Sequence, residues 1–187
     1  VLPWIRSSFH GSPATIPGSI EAEDFDIGGE GLTYHDTDEN NIPGWYRPTE
    51  SVDIEARSDG GFQVAYIASG EWLEYTVNVE ETADYTATAW VASQDGGGRF
   101  RYEFDGTFTR MLAVPSTGDW ETLAPVSTTV SLEAGEHIMR LAVLAAAPFN
   151  IDRYVIEKVG STGLATVPEA AGLEIYPNPV PNELSIV

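Results

Sequence analysis

The sequence predicts an all-β protein, an antiparallel sandwich or barrel, on three observations. Apolar and polar residues alternate over short runs, clusters of Gly, Asp and Asn punctuate those runs, and no window of ten residues carries a helical stripe. The chain has 187 residues. That length suits one domain of roughly 130–150 residues with appendages. An apolar fraction of 42% and an aromatic fraction of 11% supply enough side-chain volume for a core.

The elements follow in chain order. Residues 1–18 hold Pro3, Gly11, Pro13, Pro17 and Gly18 without a sustained period. They read as a linker, or as a strap laid over a neighbouring surface. The main domain spans 19–159. Within it Leu73, Tyr75, Val77 and Val79 alternate with polar neighbours, as do Tyr85, Ala87, Ala89 and Val91, then Phe100, Tyr102 and Phe104. Such a period of two belongs to strands with one buried face. Trp72, Trp90, Phe62, Tyr75 and Tyr85 lie in these runs and are expected mostly in the core. By the same periodicity Tyr66 falls in a strand as a core residue.

Asp95-Gly96-Gly97-Gly98, Asp105-Gly106, Thr117-Gly118-Asp119 and Ala134-Gly135 mark turns. Asp105-Gly106, between Phe104 and Phe108, predicts a tight hairpin, because glycine takes up the positive φ that such turns require. Nine or ten short strands are expected. Residues 160–172 form a second linker. Over 173–187 the alternation resumes around Pro177, Pro179 and Pro181, which exclude a regular central strand and read as the start of another small domain.

Charge narrows the partners. Asp and Glu number 29 against 9 Lys and Arg, giving a formal net charge of −20, and Lys158 is the only lysine. Nucleic acid and anionic membranes need clustered basic residues, so neither is an expected partner. Neutral ligands and cations remain. There is no cysteine, which removes disulfides, thiolate metal sites and a cysteine nucleophile. No run of 18 apolar residues is present to form a membrane-spanning helix. The opening residues, with Pro3, Arg6 and His10, do not read as a signal peptide, and a piece of a larger polypeptide is expected.

Candidate chemistry is sparse. The three histidines, His10, His35 and His137, accompany no G-x-S-x-G motif, so a serine triad has no support. With so many acids, some carboxylate pair will sit at a glycosidase spacing by chance, which keeps a small glycoside hydrolase as the alternative reading. The run from Asp36 to Asn41 begins like an EF-hand, but Asn41 stands where glycine is needed and Arg47 where the closing glutamate is needed. It reads as a solvated acidic loop. Were 20–24 a strand, Glu21 and Glu23 would share a face roughly 7 Å apart, an exposed acidic edge or a calcium-binding pair. Trp120 follows a turn, and Trp45 and Tyr46 sit between Pro43-Gly44 and Pro48. Aromatic residues on loops point to a flat apolar ligand face, such as that of a sugar ring.

An ordered series of segments then resembles a known family. It runs through Ile16-Pro17-Gly18, Ile20-Glu21-Ala22-Glu23, Tyr34-His35-Asp36-Thr37, Tyr46-Arg47, Val52-Asp53-Ile54-Glu55 and Val64-Ala65-Tyr66-Ile67. It continues through Gly70-Glu71-Trp72-Leu73-Glu74-Tyr75-Thr76-Val77, Gly118-Asp119-Trp120, Leu132-Glu133-Ala134-Gly135-Glu136-His137 and Phe149-Asn150-Ile151-Asp152. In this order, over about 16–159, the set resembles a family 6 carbohydrate-binding module.

The resemblance implies an antiparallel β-jelly-roll sandwich, monomeric and non-catalytic, that targets a tethered, secreted polysaccharide-degrading enzyme to its substrate. It implies that Tyr66 and Trp120 clamp a sugar ring, that Asn150 hydrogen-bonds its hydroxyls, and that Glu55 or Asp53 adds a carboxylate. It also implies a structural Ca²⁺ held by Glu21, Glu23 and Asp152 with backbone carbonyls of the 36–47 loop. One departure is Ala145-Ala146-Ala147-Pro148-Phe149, which brings few polar atoms near Asn150. Tyr46 is read as covering the sandwich edge. The polysaccharide class left open is β-glucan, xylan or marine galactan. Finally, Leu173-Glu174-Ile175-Tyr176-Pro177-Asn178-Pro179 with Leu184-Ser185-Ile186 is similar to the start of a type IX secretion C-terminal sorting domain, which implies a secreted or cell-surface protein.

Overall fold

The structure, a computed structural model, describes residues 5–145 and 148–160. The sorting-domain likeness at 173–187 lies outside them. Thirteen strands follow in order: β1 (Ala14–Ile16), β2 (Gly18–Glu21), β3 (Tyr34–His35), β4 (Ile54–Ala56), β5 (Phe62–Val64), β6 (Trp72–Val79) and β7 (Ala83–Ala92). Then come β8 (Arg99–Phe104), β9 (Thr107–Phe108), β10 (Leu112–Ala113), β11 (Ala124–Leu132), β12 (Gly135–Ala145) and β13 (Asn150–Lys158). There is no helix among the described residues.

The strands form two sheets, ordered β1-β6-β12-β8-β10 and β11-β7-β13-β5-β4. β3 adds to β6, β9 to β8 and β2 to β13. Every pairing is antiparallel except the parallel contact of β1 with β6. The result is a β-sandwich, one of the two architectures the alternation allowed, and of the jelly-roll type that the family resemblance implied. Its core is the stacked inner faces: Tyr75, Val77, Tyr102, Phe104 and Leu141 from one sheet meet Tyr85, Ala87, Val91, Tyr154 and Ile156 from the other. Asp105 and Gly106 make the expected two-residue hairpin between β8 and β9, both with positive φ (48° and 81°).

Alternation identifies pairs of faces but not which face is inside. Trp72 and Trp90, expected in the core, lie on the outer faces instead. Each carries an arginine on its ring, Arg140 at 4.1 Å from the Trp72 centroid and Arg153 at 4.9 Å from that of Trp90. An indole half-shielded by a guanidinium keeps apolar surface from water without entering the core.

Residues 6–12 lie across the edge of the sandwich. Arg6 pairs with Asp26 and Glu74 and donates to the Leu32 carbonyl. Ser7 bridges Ile27, and His10 Nε2 lies 2.7 Å from Asp24 Oδ2. The guanidinium of Arg47 caps the carbonyls of Glu23, Phe25 and Asp26 and stacks on the Phe25 ring.

One irregularity positions the chemistry below. The register of β13 against β7 slips between Ile151 and Arg153, leaving Asp152 as an extra residue. Three consecutive side chains, Asn150, Ile151 and Asp152, are therefore buried where a regular strand would bury two. A bulge re-aims side chains in this way at a sheet end.

Candidate functional site

At one end of the sandwich four segments meet: the β4–β5 hairpin, the residues after β5, the β10–β11 loop and the entry into β13. Together they line a cleft of about 660 Å³ that includes Tyr66, Trp120, Asn150 and Glu55. The structure thus brings together four residues far apart in the chain.

Tyr66 stands two residues after the end of β5, between the buried Ala65 and Ile67, yet is 58% exposed. The periodicity reading that placed it in the core is corrected here. Its φ is +52°, a left-handed conformation that breaks the strand's alternation and swings the ring outward. A bulky residue held in this region costs energy, and such strain gathers at functional sites.

Trp120 is 37% exposed and is presented by a loop built on Asp119. Asp119 Oδ1 accepts from the amides of Glu121 (2.8 Å) and Thr122 (2.5 Å), and Oδ2 accepts from the Thr122 hydroxyl (2.8 Å). Those bonds hold its carboxyl below the usual range. Gly118, with φ +86°, starts the turn, and Thr117 ties the loop to Ser93 through bonds of 2.7 and 2.9 Å. The indole therefore projects into the cleft from a braced backbone.

Beneath the rings lies a polar layer that sequence reasoning missed. Gln63, fully buried on β5, donates through Nε2 to Glu55 Oε1 (2.8 Å) and to the Trp120 carbonyl (3.2 Å). Asn150 Nδ2 donates to the same two acceptors, at 2.9 and 3.4 Å. Arg57 in turn donates to Gln63 Oε1 (3.0 Å) and the Glu121 carbonyl (3.2 Å), and pairs with Asp59 and Asp152. Gln63 had one visible trace, an amide flanked by apolar residues inside a predicted strand. Asp53 is turned away from the cleft and accepts from the Ile42 amide at 2.5 Å.

Asp53 instead faces Asp36, Asp38 and Glu71. Burial, then Glu71, Asp53 and Asp38, push the Asp36 carboxyl up to about 7. Burial, then Asp38 and Glu71, push that of Asp53 up to about 6. Tyr46 covers the nearby edge, its ring tilted against Phe62 with centroids 4.6 Å apart and its hydroxyl donating to Asp24 (2.8 Å). Trp45 is 73% exposed.

The three carboxylates read as a calcium set are differently placed. β2 ends at Glu21, so Glu21 and Glu23 do not share a strand face. Glu21 is exposed, whereas Glu23 is buried in the following turn. The Oε2 atom of Glu23 is buried without a hydrogen-bond partner, and desolvation, with help from Glu21, Asp24 and Asp152, pushes its carboxyl up to about 8. Burial and Asp152 also raise Glu21. Asp152 is buried beside them and paired with Arg57 and Arg153. Among the described residues, no three acids or histidines form a ready-made metal cage. An orphaned buried carboxylate oxygen beside three like-charged neighbours nevertheless fits a hard cation.

Comparison with known proteins gives a consistent set of likenesses. The family model described as carbohydrate binding module (family 6) matches residues 45–158. The C-terminal family 6 module of a marine laminarinase from Zobellia galactanivorans is 31% identical, with a TM-score of 0.60, covering 75% of this chain and 98% of its own. A family 6 module from Clostridium stercorarium, solved with cellobiose, is 25% identical with a TM-score of 0.61, over 79% of this chain and 98% of its own. The module of Cellvibrio mixtus lichenase 5A, solved with cellotriose, is 28% identical with a TM-score of 0.59, over 77% and 98%. The clotting factor G alpha subunit of Tachypleus tridentatus is 29% identical over 119 residues, which are 61% of this chain but 18% of that protein.

Proposed function

From the premise that the chain belongs to carbohydrate-binding module family 6, we propose that it binds a neutral polysaccharide by stacking one sugar ring between Tyr66 and Trp120. One observation carries the reading: two exposed aromatics, one in a strained conformation and one on a braced loop, line the same cleft over a polar floor. Pyranose rings offer apolar C–H faces to such rings, and their hydroxyls bond the floor between them. Asn150 has both amide hydrogens directed into the protein, so its Oδ1, with Glu55, is what meets the sugar.

The glycan class is β-glucan, xylan or a marine galactan, and the module is a monomer. Its role is to hold an attached, secreted polysaccharide-degrading enzyme on its substrate. The relatives in complex with cellobiose and cellotriose support a glucan, and the laminarinase module supports a marine setting. A Ca²⁺ ion held by Glu21, Glu23 and Asp152 with nearby carbonyls would supply charge compensation and tie β2 to β13. The orphaned Glu23 oxygen is the support for it.

Affinity electrophoresis in gels containing laminarin, hydroxyethyl cellulose, xylan or agarose tests the clamp. At least one polymer should retard the protein. Stacking is worth roughly 1–3 kcal/mol per ring by analogy with base stacking, so Trp120→Ala or Tyr66→Ala should weaken retardation about tenfold or more. Variants that bind like the parent would refute the clamp.

A further inference from the structure

We propose that Glu55, oriented by the buried Gln63, is the charge-selecting group of the cleft, so that it admits neutral and amino-bearing sugars and rejects uronates and sulfated sugars. This rests on the clamp reading and adds a ligand class and a positioning residue to it.

Oε1 of Glu55 accepts from both Gln63 and Asn150, at 2.8 and 2.9 Å, which fixes the plane of the group. Oε2 accepts nothing from the described residues, while the side chain remains half-buried at the cleft wall. Its natural partner is therefore a donor on a ligand, a hydroxyl or an ammonium group. A carboxylate or sulfate there would meet an acceptor-only atom and gain repulsion.

The surroundings do not reverse that sign. Arg57 is 9% exposed and sits behind Gln63, already paired with Asp59 and Asp152. Two more carboxylates, Asp119 and Glu121, line the same cleft. No Arg, Lys or His side chain lines it among the described residues. Selection by exclusion of the wrong charge is the cheaper route to specificity where shape alone discriminates weakly.

Gln63 is what makes the orientation hold. It bonds the carboxylate and the Trp120 carbonyl with one amide group, and so sets the charged floor and the aromatic wall relative to each other. Its effect on binding should therefore travel through Glu55 rather than through stability.

The experiment compares gel retardation by laminarin and hydroxyethyl cellulose with retardation by the same polymers oxidised to carboxylates at C6, and by chitosan at pH 5.5. The parent protein should bind the neutral form roughly tenfold or more tightly than the oxidised form, with the ratio shrinking as salt rises. Chitosan should be bound too. Glu55→Gln should weaken neutral binding, since Glu55 meets the sugar, and should erase most of the discrimination between neutral and oxidised polymer. Gln63→Leu should lower discrimination in the parent background but change it little once Glu55 is Gln, a non-additivity that a purely structural role would not produce. Equal retardation by neutral and oxidised polymer, or discrimination that survives Glu55→Gln, overturns this inference and leaves the clamp standing. Failure of laminarin, hydroxyethyl cellulose, xylan and agarose alike to retard the protein overturns the clamp, and this inference with it.

Discussion

Glu55 and Asn150, 95 residues apart in sequence, are joined by a 2.9 Å hydrogen bond from Nδ2 to Oε1 at the cleft floor. The bond pins the start of β13 to β4 across the intervening β5. Asn150→Asp keeps the shape, removes both donors and sets a second carboxylate against Glu55. A partly buried like-charge pair with lost hydrogen bonds should cost about 2–4 kcal/mol. Thermal melts at neutral pH should show the deficit, and added salt should recover only part of it.

Tyr66 separates stability from binding. Its φ of +52° is strained for tyrosine and ordinary for glycine. Tyr66→Gly should relieve roughly 1 kcal/mol of backbone strain, partly offset by the flexibility glycine adds to the unfolded chain. Tyr66→Ala keeps the strain. Denaturant midpoints should therefore rank Gly at or above Ala, while both variants lose glycan retardation equally.

How much of this was legible in the sequence differs by residue. The inward sets on β6, β7 and β8 were, because a period of two fixes which residues travel together. The face was not, since Trp72 and Trp90 are as hydrophobic as core residues and only a cross-strand arginine reveals their exposure. Tyr66 was placed in the cleft by family likeness alone, because one dihedral decides its direction and composition does not record it. The bulge at Asp152 adds a single residue that no periodic count registers. Gln63 and Arg57 were invisible as a pair, since their value lies in bonds to Glu55, Trp120, Glu121 and Asp152 from distant segments.

Tyr102 is fully buried between the sheets, and its hydroxyl has no hydrogen-bond partner, whereas Tyr75 reaches the Ala22 carbonyl at 2.7 Å. A desolvated, unmatched hydroxyl is a cost that phenylalanine avoids at nearly equal volume. Tyr102→Phe should stabilise the sandwich by about 1 kcal/mol, and Tyr75→Phe should destabilise it by a similar amount. Paired urea titrations read both signs.

His137 sits between two acceptors, the Asp105 carboxylate at 2.6 Å and the Glu133 carbonyl at 2.9 Å. A neutral imidazole can donate to only one of them. Burial opposes the cation, but the Asp105 and Glu133 contacts outweigh it and raise the group above 6.5. The folded value exceeds the unfolded one, so the contribution is complete below about pH 6.5 and fades as pH rises through the folded value. After screening it amounts to about 1 kcal/mol or less. Nitrogen-15 spectra should find both ring nitrogens protonated at pH 6.5, and His137→Gln should be most destabilising on the acid side.

Glu23 carries the calcium proposal to a test with a definite sign. Desolvation pushes its carboxyl up from 4.5 to about 8, and its Oε2 lacks a partner. Without a cation the folded protein binds a proton that the unfolded chain has released, so stability is full below pH 4.5 and falls as pH rises towards 8. In chelator, stability should therefore fall across that window by an amount on the order of a few kcal/mol, and the melting temperature should drop with it. Glu23→Gln should flatten the curve and be the more stable form at pH 8. Millimolar Ca²⁺ should lift the parent at pH 8, where the carboxyl gives up its proton readily to a cation, and do little for the variant. Equal melting temperatures for the parent with calcium and with chelator at pH 8 would remove the metal and leave a protonated glutamate as the occupant of that turn.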